Sequence, residues 1–318
     1  MAQLQTTSIT GSFNICNEDS EGTLASAPGN WWYNPSSGRL NYTNNTATKA
    51  WSTGGTQIYC RKRQGGTGTQ NSALAFGGYY YDGYTNVSSP STQEYNGAIW
   101  EVGGNLSVSR YSMAGAGTQN EGLAIGGGSG CTEEYNGTSW ATGGALIIAR
   151  TNNVGAGIQN LALTFGGNGG NSATEEYDGS AWSAGGAMIV ARSLLGGSGA
   201  QNSGLAFGGI CNSYCVTCTE EYDGSAWSTG GVMISCRYTP VGAGVQNSTI
   251  AFGGGGPSGV TTATEEYNGS TWSSTCNMIF SNYYHAGAGN ISRALSFSGL
   301  NCVQCAFEFN ANYNIVEL

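Results

Sequence analysis

The chain has 318 residues, enough for one large core or two smaller domains; only 9% are charged, and the net charge is −9. Ten Lys and Arg spread along an acidic chain do not make the basic face that phosphate backbones need, which excludes nucleic acid as a partner. No run approaches the roughly 18 apolar residues of a membrane span, which excludes insertion by helices. The 54 glycines sit among many Tyr, Trp, Thr and Val and only 5 prolines, a composition of short strands and tight turns rather than of disorder.

In chain order, residues 1–52 come first. "MAQLQTTSITGSFNICNED" has neither the basic nor the apolar region of a secretory signal, so cytoplasmic synthesis without general export is expected. Three or four strand-like pieces follow, ending at Trp51. From residue 53 to 318 the text is repetitive: Thr174–Gly209 returns closely as Thr219–Gly254, with looser copies at Thr132–Gly167 and Gln93–Gly127. The marker tryptophans Trp51, Trp100, Trp140, Trp182, Trp227 and Trp272 lie roughly 40–50 residues apart, the period of a four-stranded propeller blade.

The unit Arg192–Trp227 reads as one antiparallel blade. "SLLGGSGAQ" is an inner strand of small residues, as crowding around a common axis demands. Asn202 turns the chain into "GLAFGG", whose Leu205 and Phe207 fill the space between blades. Gly208-Gly209 leaves that strand with dihedrals open to glycine. A loop of variable length leads to "TEEYDG", whose Asp223-Gly224 is a type I′ hairpin signal. Trp227 marks the outer strand.

A double glycine, a Tyr, a Trp and then "GGxMxxxR" (Gly208-Gly209, Tyr222, Trp227, Met233, Arg237) resemble the kelch repeat of β-propellers. The likeness covers about residues 50–310, with five clear copies. The phrase Gly29–Trp51 resembles a hairpin of tailed-phage tail and fibre proteins, and "GAGTQNxxLAFGG" resembles phage kelch-like repeats. The fold expected is therefore an all-β, kelch-type β-propeller with four-stranded antiparallel blades. Seven blades are favoured, with residues 1–52 forming the first blade or a virion-attachment segment. Six is the alternative, in which Trp51 supplies the outer strand of the last blade and both termini close the ring.

Among side chains with chemistry, the periodic ones read as scaffold, because catalytic residues are unique. Arg61, Arg110, Arg150, Arg192 and Arg237 recur, with Asn282 at the sixth position, and are expected to bridge neighbouring blades to one glutamate of each Glu-Glu pair, here Glu134, Glu176, Glu221 and Glu266. A calcium-binding carboxylate ring is the alternative. The Gln-Asn pairs at 70–71, 119–120, 159–160, 201–202 and 246–247 read as turn formers at one channel mouth, with a polar ligand there as the alternative. Cys215 and Cys218, and Cys302 and Cys305, form CxxC pairs too far apart around a ring to share a metal, and loop disulfides are preferred. No metal or cofactor is expected. The single histidine, His285, reads as a packed core residue, so no enzyme is expected.

The longest loop, after Gly77-Gly78, carries Tyr79, Tyr80, Tyr81, Asp82 and Tyr84, and an equivalent loop adds Tyr214. These are the candidate ligand-binding residues, suited to stacking on sugars or docking to protein. The function expected is that of a non-enzymatic structural or adhesion protein of a tailed-phage virion, in a tail, fibre or appendage. Its partners would be other virion proteins and a host surface glycan or protein, with oligomerisation left open. A capsid decoration protein or a cellular kelch or lectin-like scaffold is the alternative.

Overall fold

Each repeat folds as read, into a four-stranded antiparallel sheet. The computed structural model describes residues 16–17, 31–34, 39–168, 170–299 and 306–317, with side chains from Lys49 to Ala311. They divide into two units, residues 50–310 and residues 1–49 with 311–318.

The larger unit is a β-propeller. From the axis outwards, blade 1 is Gly65–Thr69, Ser72–Phe76, Thr92–Tyr95 and Trp100–Gly103. Blade 2 is Ala114–Gly117, Gly122–Ile125, Thr132–Tyr135 and Trp140–Thr142. Blade 3 is Val154–Ile158, Leu161–Phe165, Thr174–Tyr177 and Trp182–Ala184. Blade 4 is Gly196–Ala200, Ser203–Phe207, Thr219–Tyr222 and Trp227–Thr229, and blade 5 is Val241–Val245, Ser248–Phe252, Thr264–Tyr267 and Trp272–Ser274. Blade 6 joins Ala286–Gly289 and Arg293–Phe297 to the start of Ala306–Glu317, and takes its outer strand from the end of Arg39–Thr53.

The favoured count of seven is therefore corrected to six among the described residues. Trp51 is the outer-strand marker of the last sheet, so the ring is closed by pairing segments from the two ends of the repeat region. The inner strands neighbour one another in blade order, and that of blade 6 returns to that of blade 1.

The small residues of the inner strands answer a steric demand. A Cβ on Gly115 would lie 2.4 Å from the carbonyl oxygen of Gly66 in the preceding blade, and one on Gly242 would lie 2.5 Å from that of Gly197. Just before the inner strands runs a backbone belt. Arg63, Ser112, Asn152, Leu194, Thr239 and Tyr284, one per connector, all have φ between 52° and 56°. The N–H of Ser112 donates to Arg63 O at 2.7 Å and that of Asn152 to Ser112 O at 2.9 Å, and Arg63 N–H donates back to Tyr284 O at 3.0 Å. Left-handed φ in non-glycine residues costs about 1 kcal/mol each, and these bonds between blades offset it.

Between blades lies an aromatic latch. Each outer-strand Trp packs on the Tyr of its own third strand, Tyr177 on Trp182 at 4.8 Å for example. Its ring also meets the Phe of the preceding blade edge-on where one is present, as Phe165 meets Trp227 at 4.9 Å. Such pairs add about 0.5–1.5 kcal/mol each beyond their burial. The indole N–H of Trp182 donates to Thr132 Oγ1 of the preceding blade at 3.0 Å, and Trp227 repeats this on Thr174. At ring closure Trp51 packs on Phe252 and Phe309, the latter standing where other blades have Tyr.

In the smaller unit, Trp31–Asn34 pairs antiparallel with the strand beginning at Arg39, in the register Trp31 with Tyr42 and Asn34 with Arg39. Cys16–Asn17 runs parallel to Trp31–Asn34.

The latch tyrosines predict an alkaline limit to stability. Burial first, then the bond to a glutamate, raises Tyr95, Tyr135, Tyr177, Tyr222 and Tyr267 from 10.0 to about 12. The folded state thus holds the phenol proton more tightly than the unfolded chain. That contribution is complete below pH 10 and is lost as the pH rises through 12. Denaturant midpoints are expected to fall across that window, and less steeply in Tyr177→Phe, which should itself cost about 1–2 kcal/mol.

Candidate functional site

In an antiparallel blade the second-to-third-strand loops and the blade-to-blade connectors emerge at one end, and the two hairpin turns at the other. The tyrosines divide by this geometry. Tyr95, Tyr135, Tyr177, Tyr222 and Tyr267 are buried in the interblade gaps. Every other tyrosine with a described side chain sits on the connector end: Tyr59, Tyr111, Tyr238, Tyr283 and Tyr284 in connectors, and Tyr79, Tyr80, Tyr81, Tyr84 and Tyr214 in loops. Among the described residues the hairpin end carries none.

The Gln-Asn turns occupy that other end, and their glutamines act as interblade clasps. Gln119 Nε2 donates to Ala73 O and Tyr95 O of blade 1, and Gln159, Gln201 and Gln246 repeat this one blade further on. Gln70 donates to Ala294 O and Phe309 O, clasping blade 1 to blade 6.

Both glutamates of a pair work in interblade space, on opposite faces of the blade. The first meets the arginine: Arg110 Nη2 to Glu133 at 2.7 Å, Arg192 to Glu220 at 3.0 Å, Arg237 to Glu265 at 2.9 Å, and Arg150 to Glu175, all buried. The second accepts the phenol of the next blade. Tyr222 Oη donates to Glu176 at 2.6 Å, and Tyr177 and Tyr267 donate to Glu134 and Glu221. The arginine partner is thus Glu133, Glu175, Glu220 or Glu265 rather than Glu134, Glu176, Glu221 or Glu266. The ion pair fastens a connector to its own blade, since Arg110 Nη1 also holds Gly126 O and Cys131 O. The bond across the gap is Tyr to Glu.

Blade 1 departs from this pattern. Its first-glutamate position is Gln93, whose Oε1 accepts Ile58 N–H at 2.8 Å and Tyr59 N–H at 3.2 Å. Arg61 is 1% exposed, and its Nη1 donates to Gly77 O and Ser91 O. Nη2, which serves the glutamate in blades 2–5, has no hydrogen-bond partner. The Tyr59 ring lies 5.5 Å from the guanidinium carbon. Burial lowers the Arg61 pKa to about 10, which leaves it charged at neutral pH.

Above Arg61 opens a cleft of about 600 Å³, lined by residues 58–61, Tyr80, Tyr81 and residues 88–91. Tyr79–Tyr81 and Asn86–Ser88 form a projecting hairpin beside it. Asp82 is occupied by its own turn: its Oδ1 accepts Tyr84 N–H at 2.8 Å and Thr85 N–H at 2.7 Å, which holds its pKa below the usual carboxylate value. Tyr79 packs edge-on against Tyr111 at 5.3 Å. Of the expected ligand residues, the structure brings Tyr80 and Tyr81 to the cleft. Tyr84, 89% exposed, stands at the hairpin tip, and Tyr214, 76% exposed, belongs to blade 4 on the far side of the ring.

Sequence reading missed Tyr59, Tyr111 and Tyr284, which gain meaning only from the shared end of the blades. It also missed Arg63, whose guanidinium lies 4.0 Å from the Tyr284 ring at the channel mouth. His285 lies below that mouth, buried. Its Nδ1 is 2.8 Å from Ser296 Oγ, and burial and the charge of Arg237 push its pKa down to about 3, so it is neutral.

The blade 4 loop holds thiols. Cys218 Sγ lies 2.9 Å from Arg192 Nη1, whereas the Cys215 thiol pairs with Cys236, and burial pushes Cys215 up to about 12. Cys215 and Cys218 therefore face different partners and are unlinked. Cys302 and Cys305 lie outside the described residues. Among the described residues no three His, Cys, Asp or Glu are grouped to hold a metal, and no helix is long and apolar enough to cross a membrane.

Two outcomes follow from these side chains. Mild oxidation with diamide is expected to join Cys215 to Cys236, and a Cys215–Cys218 peptide in the digest would refute that pairing. Glu175→Ala strands Arg150 as a buried lone cation, and its denaturation midpoint should report a loss of about 3–5 kcal/mol.

The chain matches no protein-family model and no curated protein.

Proposed function

We propose that the chain is a non-enzymatic adhesion module of a tailed-phage virion, with the connector end of its propeller as the binding face. The observation that carries this reading is the segregation of tyrosines: among those with described side chains, all that are not spent in interblade latches lie at one end of the propeller, and Tyr81 there is 63% exposed. Tyrosine offers a large, stiff, amphipathic contact with little entropy to lose, which suits recognition of sugars and of protein surfaces. Loops on a rigid ring vary without cost to the core, and the hairpins of blades 1, 4 and 5 project from that same end.

The kelch reading is supported by the separate tasks of its signature residues: Gly208-Gly209 at positive φ, Tyr222 on Trp227, and Arg237 on Glu265. The virion placement rests on the resemblance of Gly29–Trp51 and of the repeats to phage tail proteins.

Immunogold labelling of purified particles tests the placement, and binding of the chain to host envelopes tests the face. Label at the tail tip or fibres is expected, with binding reduced about tenfold or more by Tyr80→Ala with Tyr81→Ala. Label over the head would reassign the chain to capsid decoration. Particles without label would overturn the virion reading.

A further inference from the structure

Arg61 breaks the periodicity of the ring in one respect only. In blades 2–5 a buried arginine faces a buried glutamate, whereas in blade 1 the arginine remains and Gln93 has taken the acid's place. Gln93 is itself fully buried and turned to the backbone of Ile58 and Tyr59, so it brings no counter-charge. A guanidinium out of water without an anion is costly, and an anion nearby in low dielectric is strongly attracted to it.

The local charge reinforces this. Lys62 and Arg63 follow Arg61 directly, and between Trp51 and Gln93 the only acid is Asp82, engaged in its own turn. A chain of net charge −9 thus concentrates three of its ten basic residues at one connector. Of the three only Arg61 lines the cleft, from beneath, and Ser89 and Ser91 bring hydroxyls to it. Ser89 Oγ and Ser91 Oγ are 3.0 Å apart, and Arg61 Nη1 lies 3.5 Å from Ser89 Oγ. Tyr80 and Tyr81 flank it with exposed rings.

We propose that this cleft binds a carboxylated saccharide, whose carboxylate supplies the counter-charge that Arg61 lacks. The inference rests on the adhesion reading above and names the ligand class. Because Arg61 is buried, the carboxylate is held by the field of the cation and by the two serine hydroxyls, not by a bidentate fork. The aromatic rings take the apolar face of a sugar, and a space of about 600 Å³ is suited to one or two sugar units.

The test is calorimetric titration of the full chain with oligogalacturonate and sialyllactose, against neutral galactose oligomers and lactose. Acidic ligands are expected to bind about ten- to a hundredfold more tightly, the range of a charge-assisted hydrogen bond. Gln93→Glu restores the ion pair of the other blades, so it should raise the denaturation midpoint and abolish the preference for acid. Tyr81→Ala, at an exposed site, should weaken acidic binding without lowering the midpoint. Equal affinity for acidic and neutral sugars, or a preference that survives Gln93→Glu, would overturn the proposal. So would tighter binding of polyglutamate, which makes the ligand an acidic peptide, or of free acetate, which removes the need for a sugar. Host binding that persists without an acidic preference sinks this inference alone. Acidic-sugar binding by a chain missing from particles sinks only the virion reading.

Discussion

A propeller blade has no solvent face: both sides of each central strand press on something, either the neighbouring blade or the connector that feeds it. Every polar group there must find its partner across or along the gap. The Glu-Glu dipeptide is the local answer. Adjacent strand residues point to opposite faces, so Glu133 turns to Arg110 on one side while Glu134 takes the Tyr177 hydroxyl on the other. One dipeptide serves two gaps: its copies in blades 2–5 fasten each of those blades to its connector, and those in blades 2–4 also hold the next blade. The tryptophan, the threonine that accepts its N–H and the clasping glutamine all follow from the same need.

Much of this was legible in the sequence because it is periodic. Strand order, the small-residue inner strand, the place of the Asp-Gly turns and the outer-strand Trp all appeared in the text of one repeat. The turn type did not: a type I′ turn needs positive φ at both residues, whereas only Gly224 has it and Asp223 instead accepts the Ser225 and Ala226 N–H groups on its side chain. The blade number was legible too, since six marker tryptophans stand for six outer strands. Counting residues 1–52 as a blade gave Trp51 a sheet of its own, when its strand pairs with one that follows it by more than 250 residues. Pairing at that distance leaves no local trace. The face of each glutamate was misread for a different reason: the expectation sent one glutamate of each pair into interblade space, whereas both faces of the blade border such a space.

The tyrosine face was legible only in part. The run Tyr79-Tyr80-Tyr81 stands out in one loop, but Tyr59, Tyr111 and the pair Tyr283-Tyr284 are scattered over three connectors. They converge because connectors and second-to-third-strand loops leave each sheet at the same end. That convergence is a property of an antiparallel blade with an even number of strands, not of any residue pattern.

Where the repeat departs from itself, the kind of departure separates scaffold from function. In blade 6 the arginine position is Asn282 and the first-glutamate position is Phe307. Asn282 keeps the carbonyl contact, donating to Ser298 O at 2.6 Å, and Phe307 is buried against Phe280. Both charges have gone together, which leaves a gap without a buried ion. In blade 1 the acid alone has gone. Burial penalises the remaining cation, and a repeat that can discard the pair cleanly in one blade has kept half of it in another. That retained charge lies under the one cleft flanked by Tyr80 and Tyr81, so a scaffold cost and a binding surface coincide at a single connector.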